Sequence, residues 1–351
     1  MKKRHTKKLF CVFLAFITML TMLIGCSQGE KNTAAEPQKV NFPERDLNGY
    51  IMWGAGGAMD NVSRTITPLV EKYLNKSVVL QNKTGATGAV ATQFVYDQKA
   101  DGYTLLYGAE NPQLYGVLNI SKLDYKDFEP ISILGRGVAV VIVPADSKLN
   151  TIQDLIDAAK AQPGKMKMSS TGPGGLPFVV ASLISTVSGT EFNLVPFDGE
   201  GPAVTAMLGN HVDFTSVGLA AARELYRSGK VKPLALISND PVEGMEEIPV
   251  IGQIMPEYKK YLPWGPFYGV FVKNETPEEV KEILRDAYKK AFEEEKFQSF
   301  LKDFGAVPMG ISGQEARDFM ENWQRLSTWL LYDAGGTDIS PETLGIKRIG
   351  E

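Results

Sequence analysis

Short apolar segments alternate with glycine-rich loops and amphipathic segments along most of this chain. The first unit joins the apolar run 50–53 to a helix-like pattern beginning near Asp60, and the same order recurs to about residue 237. Strands that alternate with helices favour a sheet covered by helices, with parallel strands. The sequence therefore predicts an α/β protein, including strands at 167–170 and 231–237 and helices at 219–227 and 295–304.

The 351 residues, 44% of them hydrophobic and 22% charged, are enough for two domains of ordinary size. A second set of alternations follows Pro144, and the pattern lapses over 239–264. We predict two lobes joined by two chain crossings, near Val143 and near Gly265. Residues 45–142 and 266–351 would form the first lobe and residues 143–265 the second. After a strand at 267–272, only helices are expected, packed on the first lobe.

The N-terminal segment is of a different kind. Five cations within residues 1–8 precede an apolar run from Leu9 to Ile24, which is the pattern of a secretory signal. Residues 23–26, Leu-Ile-Gly-Cys, resemble a bacterial lipobox, in which Cys26 is acylated and residues 1–25 are removed. A plain signal peptide and an uncleaved anchor helix are the alternatives, although the run is short for a membrane span. Residues 26–44 are polar and predict a flexible tether.

Charge and residue counts exclude several functions. Loss of residues 1–25 removes five cations and takes the formal net charge from -4 to -9, so no nucleic-acid-binding face is expected. Cys11 would leave with the signal and Cys26 would carry lipid, which leaves no disulfide. The mature chain would keep one histidine, His211, so histidine zinc sites and a Ser-His-Asp triad are not expected. We expect no metal and no cofactor.

Four glycine-rich loops follow predicted strands, at 54–60, 82–88, 171–175 and 198–201. Ligands of open α/β sheets bind beyond the carboxyl ends of strands, beside helix N-termini. Any one loop could be an ordinary turn, but two loops in each lobe predict a binding cleft between the lobes. The first loop lacks the third glycine of a dinucleotide fingerprint, and the chain has no phosphate-binding Gly-Lys-Ser/Thr.

Two of these loops carry a resemblance. Residues 56–64, GGAMDNVSR, and 81–88, QNKTGATG, resemble the signature segments of the tripartite tricarboxylate transporter receptors, the Bug family of extracytoplasmic solute receptors. Segments 169–172, 195–203, 208–213 and 247–250 are similar to that family as well, so the resemblance covers about residues 48–351. It implies a two-lobed, type II periplasmic-binding-protein (Venus flytrap) fold, each lobe a mainly parallel sheet flanked by helices.

The resemblance also implies a carboxylate site built from backbone amides, hydroxyls and bridging waters. Neutral donors are cheaper to bury than an arginine, which would bring its own desolvation cost. The candidate ligand-binding residues of the first lobe are Ala55, Gly56, Gly57, Asp60, Thr84, Gly85, Ala86, Thr87, Gly88, Glu110 and Asn111. Those of the second lobe are Ser170, Thr171, Gly172, Phe197, Gly199, Glu200 and Asp213. Asp60 is expected to cap the following helix and fix the loop rather than to act in catalysis.

This chain departs from the family pattern in two respects. Gly54-Ala55 stand where prolines are common, which would make the first loop more flexible. Acidic residues, Glu110, Asp198 and Glu200, stand where small, hydroxylated or basic residues are usual. Since three acids would repel a tricarboxylate, we hypothesise a ligand with fewer carboxylates, such as a dicarboxylate, or one that also carries a cation, such as an amino acid. Alternatively, these side chains face solvent.

The expected function is that of a monomeric, membrane-anchored extracytoplasmic lipoprotein, not an enzyme. It would capture a small organic carboxylate and deliver it to the integral membrane subunits of a permease. Two other functions remain open. One is a secreted enzyme that uses Glu110 or Glu200 as its acid or base, and the other is a sensory protein that docks on a membrane kinase.

Overall fold

A computed structural model describes residues 40–197 and 199–350 of the chain. The predicted signal, Cys26, most of the predicted tether and Asp198 lie outside the described residues. The ring of Phe42 packs edge-on against Tyr103, with 4.9 Å between the ring centroids. The backbone N–H of Glu44 donates to the Tyr103 hydroxyl at 2.8 Å. The chain is therefore packed from residue 42, earlier than the predicted end of the tether.

The described residues contain strands and helices in alternation. The strands are β1 Leu47–Ile51, β2 Val78–Asn82, β3 Thr104–Gly108, β4 Phe128–Arg136, β5 Ala139–Pro144, β6 Lys167–Ser170, β7 Asn193–Pro196, β8 Thr215–Gly218, β9 Val231–Ile237, β10 Phe267–Lys273 and β11 Val307–Ile311. The helices are α1 Ala58–Leu74, α2 Ala89–Tyr96, α3 Ile152–Ala161, α4 Leu176–Ser188, α5 Glu200–Leu208, α6 Leu219–Arg227, α7 Ile251–Ile254, α8 Glu278–Glu293, α9 Glu295–Phe304 and α10 Gly313–Asp333. No helix in these two described segments is both long enough and apolar enough to cross a bilayer.

The strands form a six-stranded sheet in the order β11-β4-β10-β3-β1-β2, a three-stranded sheet β8-β5-β9 and a pair β6-β7. β1 is parallel to β2 and β3, and β6 is parallel to β7. The pairings of β4, β5, β10 and β11 are antiparallel. The sheets are therefore mixed rather than mainly parallel. In the six-stranded sheet the direction changes at β10, which lies between β3 and β4 and is antiparallel to both.

The first crossing between the sheets lies at Gly137-Val138, not near Val143 as predicted. β5 pairs along its length with β8 and β9, so the whole apolar run from Ala139 belongs to the second sheet. The chain crosses back between β9 and β10. The Gly137 N–H donates to the Pro266 carbonyl at 2.7 Å, so the two crossing segments lie side by side.

One strand was not predicted. β11 contains Pro308 and Gly310, which are rare inside strands, and it pairs with β4 at the edge of the six-stranded sheet. Proline is tolerated at such an edge, where one row of backbone groups lacks a partner strand. After β11, helix α10 packs on both β4 and α4. The C-terminal helices therefore reach elements of both sheet groups, and not the first lobe alone as predicted.

The site is positioned by β1, β2 and β3. Apolar residues of α1 recur on one face, and Val62, Ile66 and Val70 are fully buried against the six-stranded sheet. Because the three strands are parallel neighbours, their carboxyl ends lie at one edge of the sheet. The loops that follow them are therefore held side by side.

Candidate functional site

The loop after β1 presents backbone amides at the start of α1. Ala55 and Gly56 are exposed, and Gly57, half buried, is the residue that precedes the helix. Gly56 has φ 78°, a left-handed conformation that glycine adopts without strain. The first N–H groups of α1 have no partner within the helix and carry its partial positive charge. This loop can therefore donate hydrogen bonds to an anion.

Asp60 fixes this loop. Its carboxylate accepts hydrogen bonds from the Gly56 N–H at 2.9 Å, from Asn82 Nδ2 at 2.8 Å and from Arg64 Nε at 2.8 Å. Burial alone would raise the pKa of Asp60, but the hydrogen bonds from Gly56 and Asn82 and the charge of Arg64 outweigh it and lower the pKa. Asp60 was predicted to cap α1, but it lies within the first turn of the helix. The N-cap residue is Gly57. Its oxygens are occupied by the protein, so Asp60 positions the loop.

The loop after β2 has a strained backbone. Gly85, Ala86, Thr87 and Gly88 all have positive φ, including 47° at Ala86 and 52° at Thr87. Non-glycine residues rarely adopt this region, and such strain concentrates at functional sites. Gly88 has φ 88°, which favours glycine, and a Cβ there would lie 2.2 Å from Met52 Cε, so the Met52 side chain would have to shift. The loop thus leads into α2 with a fixed shape, next to the loop after β1.

The sides of this loop differ in their environment. Thr84, Gly85 and Ala86 are exposed, whereas Thr87 is half buried and Gly88 is buried. The one cation of the segment, Lys83, places its ammonium over the ring of Phe94, 4.3 Å from the centroid. The loops after β1 and β2 therefore offer backbone amides and hydroxyls without a lysine or arginine directed at the ligand position.

The facing loops follow β6 and β7. The buried Ser170 accepts the N–H of Gly172 on its hydroxyl at 3.2 Å and the N–H of Phe197 on its carbonyl at 2.8 Å. Thr171, Gly172, Phe197 and Gly199 are half buried. A Cβ at Gly172 would meet no atom within 4 Å, so this position opens onto free space. The loops after β6 and β7 are therefore tied to each other through Ser170.

Loops from the two sheet groups meet. The Thr87 hydroxyl donates to the Pro173 carbonyl at 3.2 Å, and Asn111 Nδ2 donates to the Gly174 carbonyl at 2.9 Å. Trp53 Nε1 in turn donates to Asn111 Oδ1 at 3.2 Å. These contacts bring the candidate residues after β1, β2, β3 and β6 to one place.

Two acidic candidates lie beside the chain crossings. Glu110 follows β3, is 4% exposed, and its Oε2 has no hydrogen-bond partner. Glu200 begins α5, and its Oε1 accepts the Gly218 N–H at 3.3 Å. Burial raises the pKa of Glu110 to about 7, and the charge of Glu200 adds to this effect. Burial also raises the pKa of Glu200. Neither side chain simply faces solvent, which was the alternative left open by the sequence.

Asp213 does not join this group. Its carboxylate accepts the backbone N–H of Lys167 at 2.7 Å, at the opposite end of β6 from Ser170. The four residues of β6 span roughly 10 Å at the usual rise of a strand. Asp213 is also exposed. It ties the start of β6 to the turn before β8 and lies away from the candidate site.

Several residues of the site were not predicted. Asn82 Nδ2 donates hydrogen bonds to the Asp60 carboxylate and to the Trp53 carbonyl. The Tyr115 hydroxyl donates to the Thr87 carbonyl at 2.9 Å. Tyr268 lies near both acids, since burial and the charges of Glu200 and Glu110 raise its pKa. Aromatic residues in apolar runs indicate core, so the sequence carried no signal for the two tyrosines. Asn82 ends β2 and lies in the segment 81–88 that carries the family resemblance, so the sequence did hold a signal for it.

Comparisons with known proteins identify the family of this chain. A family model described as the tripartite tricarboxylate transporter family receptor matches residues 62–331. The chain belongs to this family. Protein BugT of Bordetella pertussis is 26% identical over 309 residues, which cover 87% of this chain and 94% of that protein.

Solved structures share the fold of this chain. The periplasmic binding protein BugD is 26% identical, with a TM-score of 0.77 over 84% of this chain and 99% of that chain. MatC from Rhodopseudomonas palustris, solved with bound malate, is 23% identical, with a TM-score of 0.73 over 84% of this chain and 100% of that chain. The two-lobed periplasmic-binding-protein-like fold expected for this chain is confirmed. The family model describes a receptor, and this chain is a receptor of that family.

Proposed function

We propose that this receptor is a membrane-anchored lipoprotein that captures a small organic carboxylate between its lobes and delivers it to the integral membrane subunits of a tripartite tricarboxylate-type transporter. The observation that carries this proposal is the meeting of the donor-rich loops. The loops after β1 and β2 lie at one sheet edge, and Thr87 and Asn111 join them to the loop after β6.

The chemistry of these loops suits a carboxylate. Amides that open α1 and α2 stabilise negative charge, and they need no reorganisation because Asp60 and Gly88 fix the loops. Neutral donors also carry no charge that must be desolvated when the cleft closes on the ligand. The candidate contacts are the backbone around Ala55–Gly57 and Thr84–Gly88, and, opposite them, Ser170–Gly172, Phe197 and Gly199.

The ligand is proposed to carry two carboxylates, or one carboxylate and an ammonium group. Glu110 and Glu200 beside the cleft disfavour a third ligand carboxylate, because like charges in a poorly solvated site repel. MatC, which shares this fold, was solved with malate, a dicarboxylate. Malate is therefore a reasonable first test ligand for this chain.

Lobe closure around the ligand follows from the two crossings. We propose that one lobe is built on the six-stranded sheet and the other on β5 to β9, with the hinge at 137–138 and 265–266. Closure by hinge bending at two crossings is an established switching mode of two-lobed binding proteins. The predicted lipid on Cys26 would hold this assembly at the membrane.

The proposal is tested by ligand screening of the chain from residue 27. Malate, succinate, adipate, citrate, aspartate and glutamate are added at millimolar concentration, and the melting temperature is measured. A ligand that binds only the folded protein raises the melting temperature by mass action. Isothermal titration calorimetry then gives the affinity, and mass spectrometry after incubation shows whether the ligand is recovered intact. Unchanged melting with every carboxylate would contradict receptor function, and turnover of a bound carboxylate would favour an enzyme.

A further inference from the structure

Glu110 occupies an environment without a counter-charge. Its side chain lies beside β10, where the backbone of Phe267 contributes a hydrogen bond to its carboxylate. The ionisable groups that act on it or are acted on by it are Glu200, Tyr115, Tyr125 and Tyr268. Each of these groups is neutral when protonated and negative when deprotonated, so none supplies a positive charge. In the described part of the chain no lysine or arginine pairs with Glu110. Its Oε2 is buried and unpartnered.

Glu110 is also adjacent to residues that form the contacts between the two sheet groups. The next residue, Asn111, donates to the Gly174 carbonyl at 2.9 Å. Tyr115, whose hydroxyl holds the Thr87 carbonyl, is close enough to Glu110 for its own pKa to be raised partly by that charge. Opening the lobes would break the contacts of Thr87 and Asn111 with Pro173 and Gly174, and would separate the Glu110 side from the Glu200 side.

We propose that closure of the lobes on a carboxylate is coupled to the uptake of one proton, and that Glu110 is the group that binds it. This inference rests on the proposed receptor function. An open cleft hydrates Glu110 and moves it away from Glu200, which favours the ionised carboxylate. A closed cleft removes water and adds the negative charge of the ligand, and both changes favour the neutral acid.

The consequence is a receptor whose affinity depends on pH even between about pH 7 and 8, where a dicarboxylate ligand is fully ionised. Between the pKa of Glu110 in the open state and its pKa in the closed, liganded state, affinity falls by up to about tenfold for each unit that the pH rises. Loading is therefore favoured on the acidic side of neutrality, and release is favoured as the pH rises.

The experiment is isothermal titration calorimetry with whichever of malate, succinate and adipate gives the largest melting shift. Titrations are made at about pH 6, 7 and 8, each in two buffers of different ionisation enthalpy, because the difference in measured heat counts the protons taken up. The wild-type chain is compared with Glu110→Gln, Glu200→Gln and, as a matched control, Glu279→Gln. Glu279 is an exposed residue of α8.

We expect the wild type and Glu279→Gln to take up close to one proton near neutral pH and to weaken as the pH rises. Glu110→Gln should bind with little pH dependence, since an amide mimics the neutral acid permanently. Glu200→Gln should move the pH dependence to lower pH, and this variant serves if Glu110→Gln does not fold. Binding with no proton uptake, or with proton release, would overturn the inference and leave the receptor function standing. Failure of all three carboxylates to bind would contradict both the proton-coupling inference and the proposed receptor function.

Discussion

The Thr87 hydroxyl and the Pro173 carbonyl join the two sides of the cleft through a hydrogen bond of 3.2 Å. Thr87 follows β2 of the six-stranded sheet and Pro173 follows β6. The contact is made by loops that the sequence had placed at strand ends, and it forms with Thr87 in a left-handed conformation. If this contact forms on closure, as we propose, Thr87 links ligand binding to lobe closure.

Replacement of Thr87 by alanine should weaken ligand binding. The closed state loses one hydrogen bond, worth about 0.5–1.5 kcal/mol, so the Kd should rise by roughly two- to tenfold. Calorimetric titration of the best carboxylate measures the change. Thr343→Ala, an exposed threonine near the C-terminus, is the control and should bind like the wild type. Equal affinities of the two variants would show that the Thr87 contact does not stabilise closure.

Gly88→Ala should destabilise the protein and abolish tight binding. The substitution combines a positive φ of 88° with a Cβ that would lie 2.2 Å from Met52 Cε. We expect a loss of about 2–4 kcal/mol in the free energy of unfolding, from backbone strain and overpacking together. Urea denaturation measures it. Gly229→Ala separates the two causes, since Gly229 has φ 68° but nothing within 4 Å of the added Cβ. A similar loss in both variants would mean that strain alone accounts for the effect.

Asp60→Asn should loosen the loop before α1. An asparagine cannot accept all three hydrogen bonds from Gly56, Asn82 and Arg64, so we expect a loss of about 1.5–3 kcal/mol in unfolding free energy. Since the pKa of Asp60 is lowered below 3.8, this stabilisation is present above about pH 4 and is lost as the pH falls further. Asp286→Asn, which removes an exposed ion pair with Lys290, should change stability by well under ~1 kcal/mol. A loss no larger than that of Asp286→Asn would argue against the role assigned to Asp60.

Glu110→Gln should stabilise the ligand-free protein at neutral and alkaline pH. The pKa of Glu110 is about 7 in the folded chain with the loops after β2 and β6 in contact, against an ordinary value of 4.5, so this folded state binds the proton more tightly. Wild-type stability should therefore fall between about pH 4.5 and 7, and then level off. At about pH 8 the variant should be more stable by up to about 3 kcal/mol, and at about pH 4 the two should be equal. Urea denaturation at both pH values measures the free energy of unfolding of the wild type and the variant. Parallel dependence of the two free energies on pH would exclude a raised pKa of Glu110.

Cys26→Ser should release the receptor from the membrane. The sequence Leu-Ile-Gly-Cys at 23–26 predicts acylation of Cys26, and a thioether-linked lipid cannot form on serine. Metabolic labelling with palmitate and detergent phase partitioning should both change from the lipidated to the soluble pattern. Conversion of Cys11 to serine is the control, because Cys11 lies in the segment expected to be removed. Membrane retention of Cys26→Ser would favour an uncleaved anchor helix.

Much of the fold could be predicted because glycine and proline mark the ends of its elements. The strands at 167–170 and 231–237 and the helices at 219–227 and 295–304 were predicted residue for residue. Strand direction was not, because periodicity reports which face is buried and not which neighbour a strand pairs with. β11 was missed because Pro308 and Gly310 are normally evidence against a strand, and its place at a sheet edge is a property of the tertiary structure.

The candidate site divides in the same way. Loops with several glycines could be placed at strand ends, because glycine is required where φ is positive or space is short, as at Gly88. The burial of Glu110 could not be foreseen, since glutamate is usually exposed. Asp213 was selected by resemblance, and its bond to Lys167 depends on how β6 and β8 lie in space.

The adjacent crossings at Gly137 and Pro266 restrict how the cleft can open. Two chain segments bound to each other at 2.7 Å cannot slide past one another without breaking that hydrogen bond, although each can change its backbone dihedrals. We expect the motion to be close to a hinge rotation about a single axis through the two crossings. In that motion the loops after β1 and β2 move away from the loop after β6 at the same time. A ligand would then enter and leave from a single side.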